Sequence, residues 1–305
     1  MSFVVMTMTA KYVLVDYYSS EEYFFKYPIE DIRKLANSES GLPSSLGYLT
    51  IASGDFPDWA VAAGLRIENN SPFIAYQICY NKNGKLSYVI IDSAVDKTLY
   101  DKSVMSGKFF DAKKYDILEK AFLGADKIAF THEHFDHIAG AAKSEHFDLF
   151  SSKLYLTKEQ SVSRYLNDVG FVVNDKMKII EDFYKIDIPA YGAIEYKLFS
   201  PGVVMIKTPG HTSGHSAFFV VLSDGNEILI SGDIAWSMEN ITLIRQRPII
   251  TSMLLRENRD QVGKDLFWLN KLKNDSSVKI IVGHDLKSHE VLKESGIITE
   301  GFIIE

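Results

Sequence analysis

Two β-rich halves bordered by helix-forming stretches predict a mixed α/β (α+β) chain folded as a four-layer αββα sandwich. Three observations carry the prediction. Apolar runs at 73–80 and 86–92 are joined by Asn81-Lys82-Asn83-Gly84, a hairpin signal. The same grammar returns at 216–222 and 227–231, joined by Ser223-Asp224-Gly225-Asn226. Helical periodicity borders both halves, and over 258–273 it places Val262, Leu266 and Leu269 on one face.

Taken in order, residues 11–16 read as a first strand. The stretch 17–66 is rich in aromatics (Tyr17, Tyr18, Tyr23, Phe24, Phe25, Tyr27), which either pack a core edge or wall a pocket. Helices are expected at 29–37 and 57–64. After the first hairpin come a helix near 115–123, a short buried strand at 127–131, a helix at 138–144, a strand at 153–156 and a helix at 158–166. Strand 203–208 leads into the second hairpin, and strand 279–282 follows the long helix. With 305 residues, no internal repeat and no Pro/Gly/Ser-rich linker, the simplest organisation is one domain over 1–305 with an elaborated segment at about 1–72.

Composition narrows the partners. A net charge of −7 without any Lys/Arg cluster argues against nucleic acid, which demands a basic face. Residues 1–10 carry an apolar patch but no basic region before it, so neither a signal peptide nor a membrane span is expected. The lone cysteine, Cys79, lies in an apolar run and reads as a small buried hydrophobe. Together these point to the cytoplasm.

The chemistry concentrates in Thr131-His132-Glu133-His134-Phe135-Asp136-His137, directly after strand 127–131. Three of the eight histidines lie here, with a carboxylate among them. Residues two apart in an extended segment point the same way, so His132 and His134 can grip one ion. Asp136 and His137 follow where the chain begins to turn and can face a second ion. Imidazole and carboxylate suit zinc, and also iron or manganese. His211, Asp233 and His284 each follow an expected strand, with Gly210, Gly232 and Gly283 just before them. Gly210 lets the backbone approach a metal closely, and loops held by a rigid sheet commonly carry sites. A lone loop histidine is ordinarily solvated or satisfied, and His146, His215 and His289 are read that way. His215 has a second reading, as a group orienting loop 209–215 from behind.

In order and spacing, His132-x-His134-x-Asp136-His137, His211, Asp233 and His284 resemble the motif of the metallo-β-lactamase superfamily. The resemblance covers most of the chain from about residue 73 onward and implies the metallo-β-lactamase fold. It implies two divalent ions, zinc first among the candidates. His132, His134 and His211 would hold one, Asp136, His137 and His284 the other, and Asp233 would bridge them. The separation of 74 positions from His137 to His211 is wider than in glyoxalase II-type thioesterases and similar to that of N-acyl-homoserine lactonases. So are the stretches Thr208-Pro209-Gly210-His211-Thr212 and Gly283-His284-Asp285.

The implied activity is lactone opening by a hydroxide bridging the two ions, with Asp136 or Asp233 passing a proton to the leaving oxygen. A glyoxalase II-like thioesterase or a phosphotriesterase is the alternative, and a metal-binding module without turnover the non-enzymatic one. The expected partner is a small-molecule ester, lactone or thioester, and a homodimer is compatible with the sequence. Phe135 and Trp236 are expected to line the substrate pocket. Trp236 departs from the pattern: lactonases usually carry tyrosine three residues after the bridging aspartate, and an indole N–H donates but cannot accept.

Overall fold

The computed structural model describes residues 6–7, 10–11, 26–67, 71–82, 84–103, 109–189 and 191–304. The first sheet contains β1 (Ser45–Ser53), β2 (Pro72–Lys82), β3 (Lys85–Ile91), β4 (Phe109–Phe110), β5 (Lys127–Ala129), β6 (Leu154–Thr157), β7 (Lys178–Ile180) and β14 (Thr299–Glu300). Its order is β14-β1-β2-β3-β5-β6-β7, with β4 on β1. The second contains β8 (Tyr184–Ile188), β9 (Gly192–Ser200), β10 (Val203–Lys207), β11 (Ser216–Val221), β12 (Glu227–Ile230) and β13 (Lys279–Ile281), in the order β13-β12-β11-β10-β9-β8.

The sheets meet through Tyr48, Ile78 and Ile91 on one side and Val203, Phe218 and Ile230 on the other, all buried. Helices Ala112–Gly124 and Phe135–Ala142 cover the outer face of the first sheet, with Leu118, Phe122 and Ile138 joining Ile90 and Ile128. Helices Ile29–Ala36 and Arg259–Asp275 cover the second, with Ile32, Leu266 and Leu269 joining Ile206, Phe219 and Leu229. The result is the expected αββα order. Strand direction positions the site. β3, β5, β6 and β7 are parallel, β13 is parallel to β12, and β10 and β12 both run antiparallel to β11.

Several boundaries differ from expectation for identifiable reasons. Strand 127–131 stops at Ala129 because the Thr131 N–H turns away to Asp92 Oδ1, 2.6 Å distant. The next helix begins at Phe135, not 138, which puts Asp136 and His137 on its first turn. Residues 57–64 form turns, not a helix: Ala60 N–H closes on the Pro57 carbonyl, and Ala63 N–H leaves the segment for the Gln246 carbonyl. Helix 158–166 is two pieces, Lys158–Ser161 and Tyr165–Val169, the first started by a Thr157/Gln160 capping box and the second ended by Gly170 at φ 64°. β1 escapes periodicity because eight of its nine residues are buried, so no alternation marks it.

Tyr27 stacks on Trp268 with ring centroids 3.9 Å apart, packing a core edge. The other aromatics of that stretch (Tyr17, Tyr18, Tyr23, Phe24, Phe25) lie outside the described residues, as does strand 11–16 apart from Lys11. Cys79 is buried, and burial pushes its thiol up to about 11. No helix among the described residues is long and apolar enough to cross a membrane.

One buried carboxyl in the second helical layer gives a pH signature. Burial pushes Asp265 up to about 7, although Tyr191 and Gln261 donate to its Oδ1. The folded state therefore holds a proton that the unfolded chain, with an ordinary carboxyl near 4, releases. Stability should fall as pH rises from about 4 to about 7 and carry a constant penalty above that. Asp265→Asn is expected to melt several degrees higher than the parent at pH 8 and to lose that advantage at pH 5. Melting curves whose difference is the same at both values would refute the assignment.

Candidate metal centre

Every group of the candidate site leaves the C-terminal end of a strand. Asp92 follows β3, the 131–137 segment follows β5, His211 follows β10, Asp233 follows β12 and His284 follows β13. Residues up to 192 positions apart thus converge at one edge of the sandwich. All seven expected side chains meet there. Ligand atoms lie within 4.8 Å of one another in three groups: His132, His134 and His211; His132, His137 and Asp233; and Asp136, His137 and His284. Asp233 stands between them, with Oδ2 3.4 Å from His211 Nε2 and 3.2 Å from His284 Nε2, and Oδ1 3.4 Å from His137 Nε2.

The outward nitrogens explain why the inward ones carry lone pairs. His137 Nδ1 donates to Asp92 Oδ2 at 2.9 Å, His211 Nδ1 to Glu257 Oε1 at 2.7 Å, and His284 Nδ1 to the Pro72 carbonyl at 3.0 Å. Thr131 Oγ1 gives its proton to Asp92 Oδ2 at 2.8 Å and so accepts from His132 Nδ1 at 3.1 Å. Each of these four imidazoles, in its neutral form, therefore turns Nε2 inward as an acceptor. His134 is reversed: its Nδ1 faces His132 Nε2 at 3.1 Å and His211 Nε2 at 3.0 Å.

Lone pairs this close repel unless a cation or proton lies among them. Two further buried atoms, His137 Nε2 and Asp233 Oδ1, have no hydrogen-bond partner among the described residues. A buried polar atom left so is costly. The donor set therefore fits divalent metal, with imidazole and carboxylate the ordinary ligands of zinc. Against burial, Asp92, Asp233 and Asp136 raise His137, and Asp233 and Asp136 raise His284 to about 9, so a proton competes with metal for these two imidazoles. Burial opposes ionisation of Asp233, but His284, His137 and His132 outweigh it and hold the carboxyl well below its ordinary range. Burial, with His211, lowers His134 to about 3, keeping that imidazole neutral as a ligand must be.

The glycines act differently from one another. A Cβ at Gly283 would stand 2.8 Å from Asp233 Oδ1, and one at Gly232, at φ 54°, would stand 2.7 Å from His215 Nε2. A Cβ at Gly210 would stand 3.0 Å from Val262, so this glycine also makes room for the start of helix Arg259–Asp275. His215 is fully buried and takes the orienting reading: its Nδ1 donates to Thr208 Oγ1 at 2.8 Å, and its Nε2 accepts the Asp233 N–H at 2.9 Å. His289 pairs with Tyr76 Oη at 2.9 Å, away from the cluster.

Above the cluster opens a cleft of about 250 Å³. Phe56, Phe135, Tyr165, Trp236, Leu254 and Leu255 wall it; His134, Asp136, Asp233 and His284 floor it, and Asp168 lies at its edge. Phe135 and Trp236, expected to line a substrate pocket, are among the residues lining this cleft. The Trp236 N–H, however, does not point into the cleft: it donates to Asp233 Oδ2 at 2.7 Å. Sequence reasoning misses Asp92, Glu257, Arg247 and Phe56. Asp92 has a faint signal, an acid ending an apolar strand; the others have none.

A four-layer sandwich with histidines and aspartates gathered at its strand ends defines a metal-binding α/β class. The match to the metallo-β-lactamase superfamily spans residues 124–284, and the chain belongs to that superfamily. An N-acyl homoserine lactonase from a Bacillus species is 26% identical over 113 residues, a stretch that is 37% of this chain and 40% of that relative. A similar fold is seen in the structure of an N-acyl homoserine lactone hydrolase with the product N-hexanoyl-L-homoserine bound at its catalytic metal centre. Its TM-score is 0.60 at 16% identity, over 82% of this chain and 96% of that one. A probable metal-dependent hydrolase from Staphylococcus aureus gives 0.57 at 15% identity, over 81% and 91%.

The close seat of Gly283 yields a test. Gly283→Ala must push the Asp233 carboxylate or the 283–285 loop by several tenths of an ångström. Zinc affinity, measured by chelator competition, should fall about tenfold or more, with far-ultraviolet circular dichroism unchanged. Wild-type affinity in this variant would show that Asp233 is not where metal binds.

Proposed function

We propose that this chain is a metal-dependent hydrolase that binds two divalent ions, zinc first among them, and opens a lactone of the N-acyl-homoserine type. The observation that carries the reading is the Asp233 carboxylate, whose two oxygens face two donor groups at once. His132, His134 and His211 would hold one ion, Asp136, His137 and His284 the other, with Asp233 shared. When bound, two such ions lower the pKa of water toward about 7 and polarise an ester carbonyl.

The rest is the work of the chain's own groups. Asp92, Glu257, Thr131 and the Pro72 carbonyl hold four imidazoles in the tautomer that binds. Asp136 and Asp233, the carboxylates on the cleft floor, are placed to carry a proton to the leaving oxygen. Aromatic and leucine walls exclude water and suit an acyl chain. Trp236 spends its N–H on Asp233, so it offers substrate an aromatic wall, with Phe56 4.6 Å away, and not a hydrogen bond. The similarity of the Bacillus lactonase supports a lactone as substrate. Thioester or phosphotriester hydrolysis is the second reading, favoured by the same floor and by the absence of a free Trp236 donor toward a lactone carbonyl.

Three measurements test this. Elemental analysis of reconstituted protein should give about two divalent ions per chain; one or none refutes the dinuclear reading. The metal-loaded protein should turn over homoserine lactones faster than a thioester or a phosphotriester, and Asp233→Ala should abolish turnover with the fold kept. A reversed substrate ranking would replace the lactone assignment. Trp236→Ala should raise KM by about tenfold, most for long acyl chains, and equal effects on short and long chains would remove it from the acyl wall.

A further inference from the structure

Behind the His211 imidazole lies a charged pair almost wholly out of solvent. His211 Nδ1 is 2.7 Å from Glu257 Oε1 and 3.4 Å from Arg247 Nη2. The Arg247 and Glu257 side chains are each 1% exposed. Arg247 donates to Glu257 Oε1 through Nε, at 2.8 Å, and through Nη2. Its Nη2 also donates to the Asp233 carbonyl at 3.0 Å, and its guanidinium covers the Trp236 ring at 4.8 Å. The backbone of Arg247 is fixed in turn, because Arg259 Nη1 donates to its carbonyl at 2.8 Å and to Ser252 Oγ at 2.6 Å.

These contacts choose a tautomer. A carboxylate only accepts, so the 2.7 Å contact keeps the proton on His211 Nδ1 and leaves Nε2 with its lone pair. The opposite tautomer has a donor waiting. Without Glu257, Arg247 Nη2 can turn its N–H onto a bare Nδ1, and the proton then sits on Nε2, 3.0 Å from His134 Nδ1. A protonated Nε2 cannot bind a cation. Glu257 prevents this by engaging the imidazole proton and the guanidinium together.

We infer that Glu257, clamped by Arg247, is a positioning residue that holds His211 in its metal-binding tautomer and thereby sets cation affinity at the His132, His134 and His211 group. The inference rests on the two-ion reading above. Glu257 acts through His211 and is not among the residues lining the cleft. Arg247 reaches Asp233 only at its main-chain carbonyl, so the direct effect of the pair falls on His211.

The test reads metal binding, not turnover. Glu257→Gln keeps volume and one acceptor oxygen but gives up the charge that restrains Arg247. Arg247→Met combined with Glu257→Leu removes both charges at similar volume, so no unpaired buried ion destabilises the fold. Zinc affinity is measured by competition with a chromophoric chelator, cobalt(II) by its visible spectrum, and the melting temperature of each metal-free protein alongside. In both variants one of the two zinc ions should bind ten- to a hundredfold more weakly, with an altered cobalt spectrum and the other zinc retained. Wild-type zinc affinity and an unchanged cobalt spectrum in the folded double variant overturn the inference and leave the two-ion reading intact. A wild-type chain that binds no zinc overturns the two-ion reading and the inference with it.

Discussion

A carboxylate buried among imidazoles is expensive to ionise and to keep still, and the candidate site depends on Asp233 doing both. Removed from water, such a group would take up a proton unless partners compensate it. Asp233 is pinned at its main chain and compensated at its carboxylate. His215 accepts its N–H, Arg247 donates to its carbonyl, Trp236 donates to Oδ2, and Gly283 leaves room beside Oδ1. Against burial, the neighbouring His284, His137 and His132 hold its carboxyl well below the ordinary range. Segments distant in sequence thus have their position checked against one residue.

The fold makes that convergence cheap. Strands that run the same way end at the same edge, and loops leaving that edge need only a few residues to bring their ligands together. β3 and β5 supply Asp92 and the histidine-rich turn from one sheet; β10, β12 and β13 supply His211, Asp233 and His284 from the other. The packed faces of the two sheets, with Phe218 and Ile230 against Ile78 and Ile91, set the distance between these edges. Close packing resists compression or slippage, so ligand spacing inherits the rigidity of the core. Helix Phe135–Ala142 adds its own constraint, because Asp136 and His137 on its first turn cannot move independently of it.

The cleft is asymmetric in a way that bears on substrate. Its floor is polar and crowded with candidate ligand atoms, whereas its walls are aromatic and aliphatic. Such a division suits a molecule with one reactive polar end and an apolar remainder. Two of the walls come from unexpected places: Phe56 from just before the turns that replace an expected helix, and Leu254 and Leu255 from helix Ile249–Leu255. Trp236 joins wall to floor, since its ring faces Phe56 while its N–H holds Asp233.

How much of this is legible in the sequence follows from how local each feature is. Ligand types and their order are written in short spacings, because few side chains bind metal and an extended segment fixes which of them face together. Apolar runs and turn residues likewise mark the two hairpins and bring most strand ends within a residue or two. β1 leaves no such mark, since burial on both faces erases alternation. Nor does Glu257, one of 40 acidic residues with no local signature. The sequence by itself determines the αββα class, the seven candidate ligands and the strand ends that carry them. Tertiary structure alone decides which nitrogen of each imidazole turns inward, what stands behind it, and where the Trp236 N–H goes. Those choices rest on partners as far apart as His211 and Glu257, 46 positions, or His284 and Pro72, 212 positions, and no local spacing encodes a contact at that range.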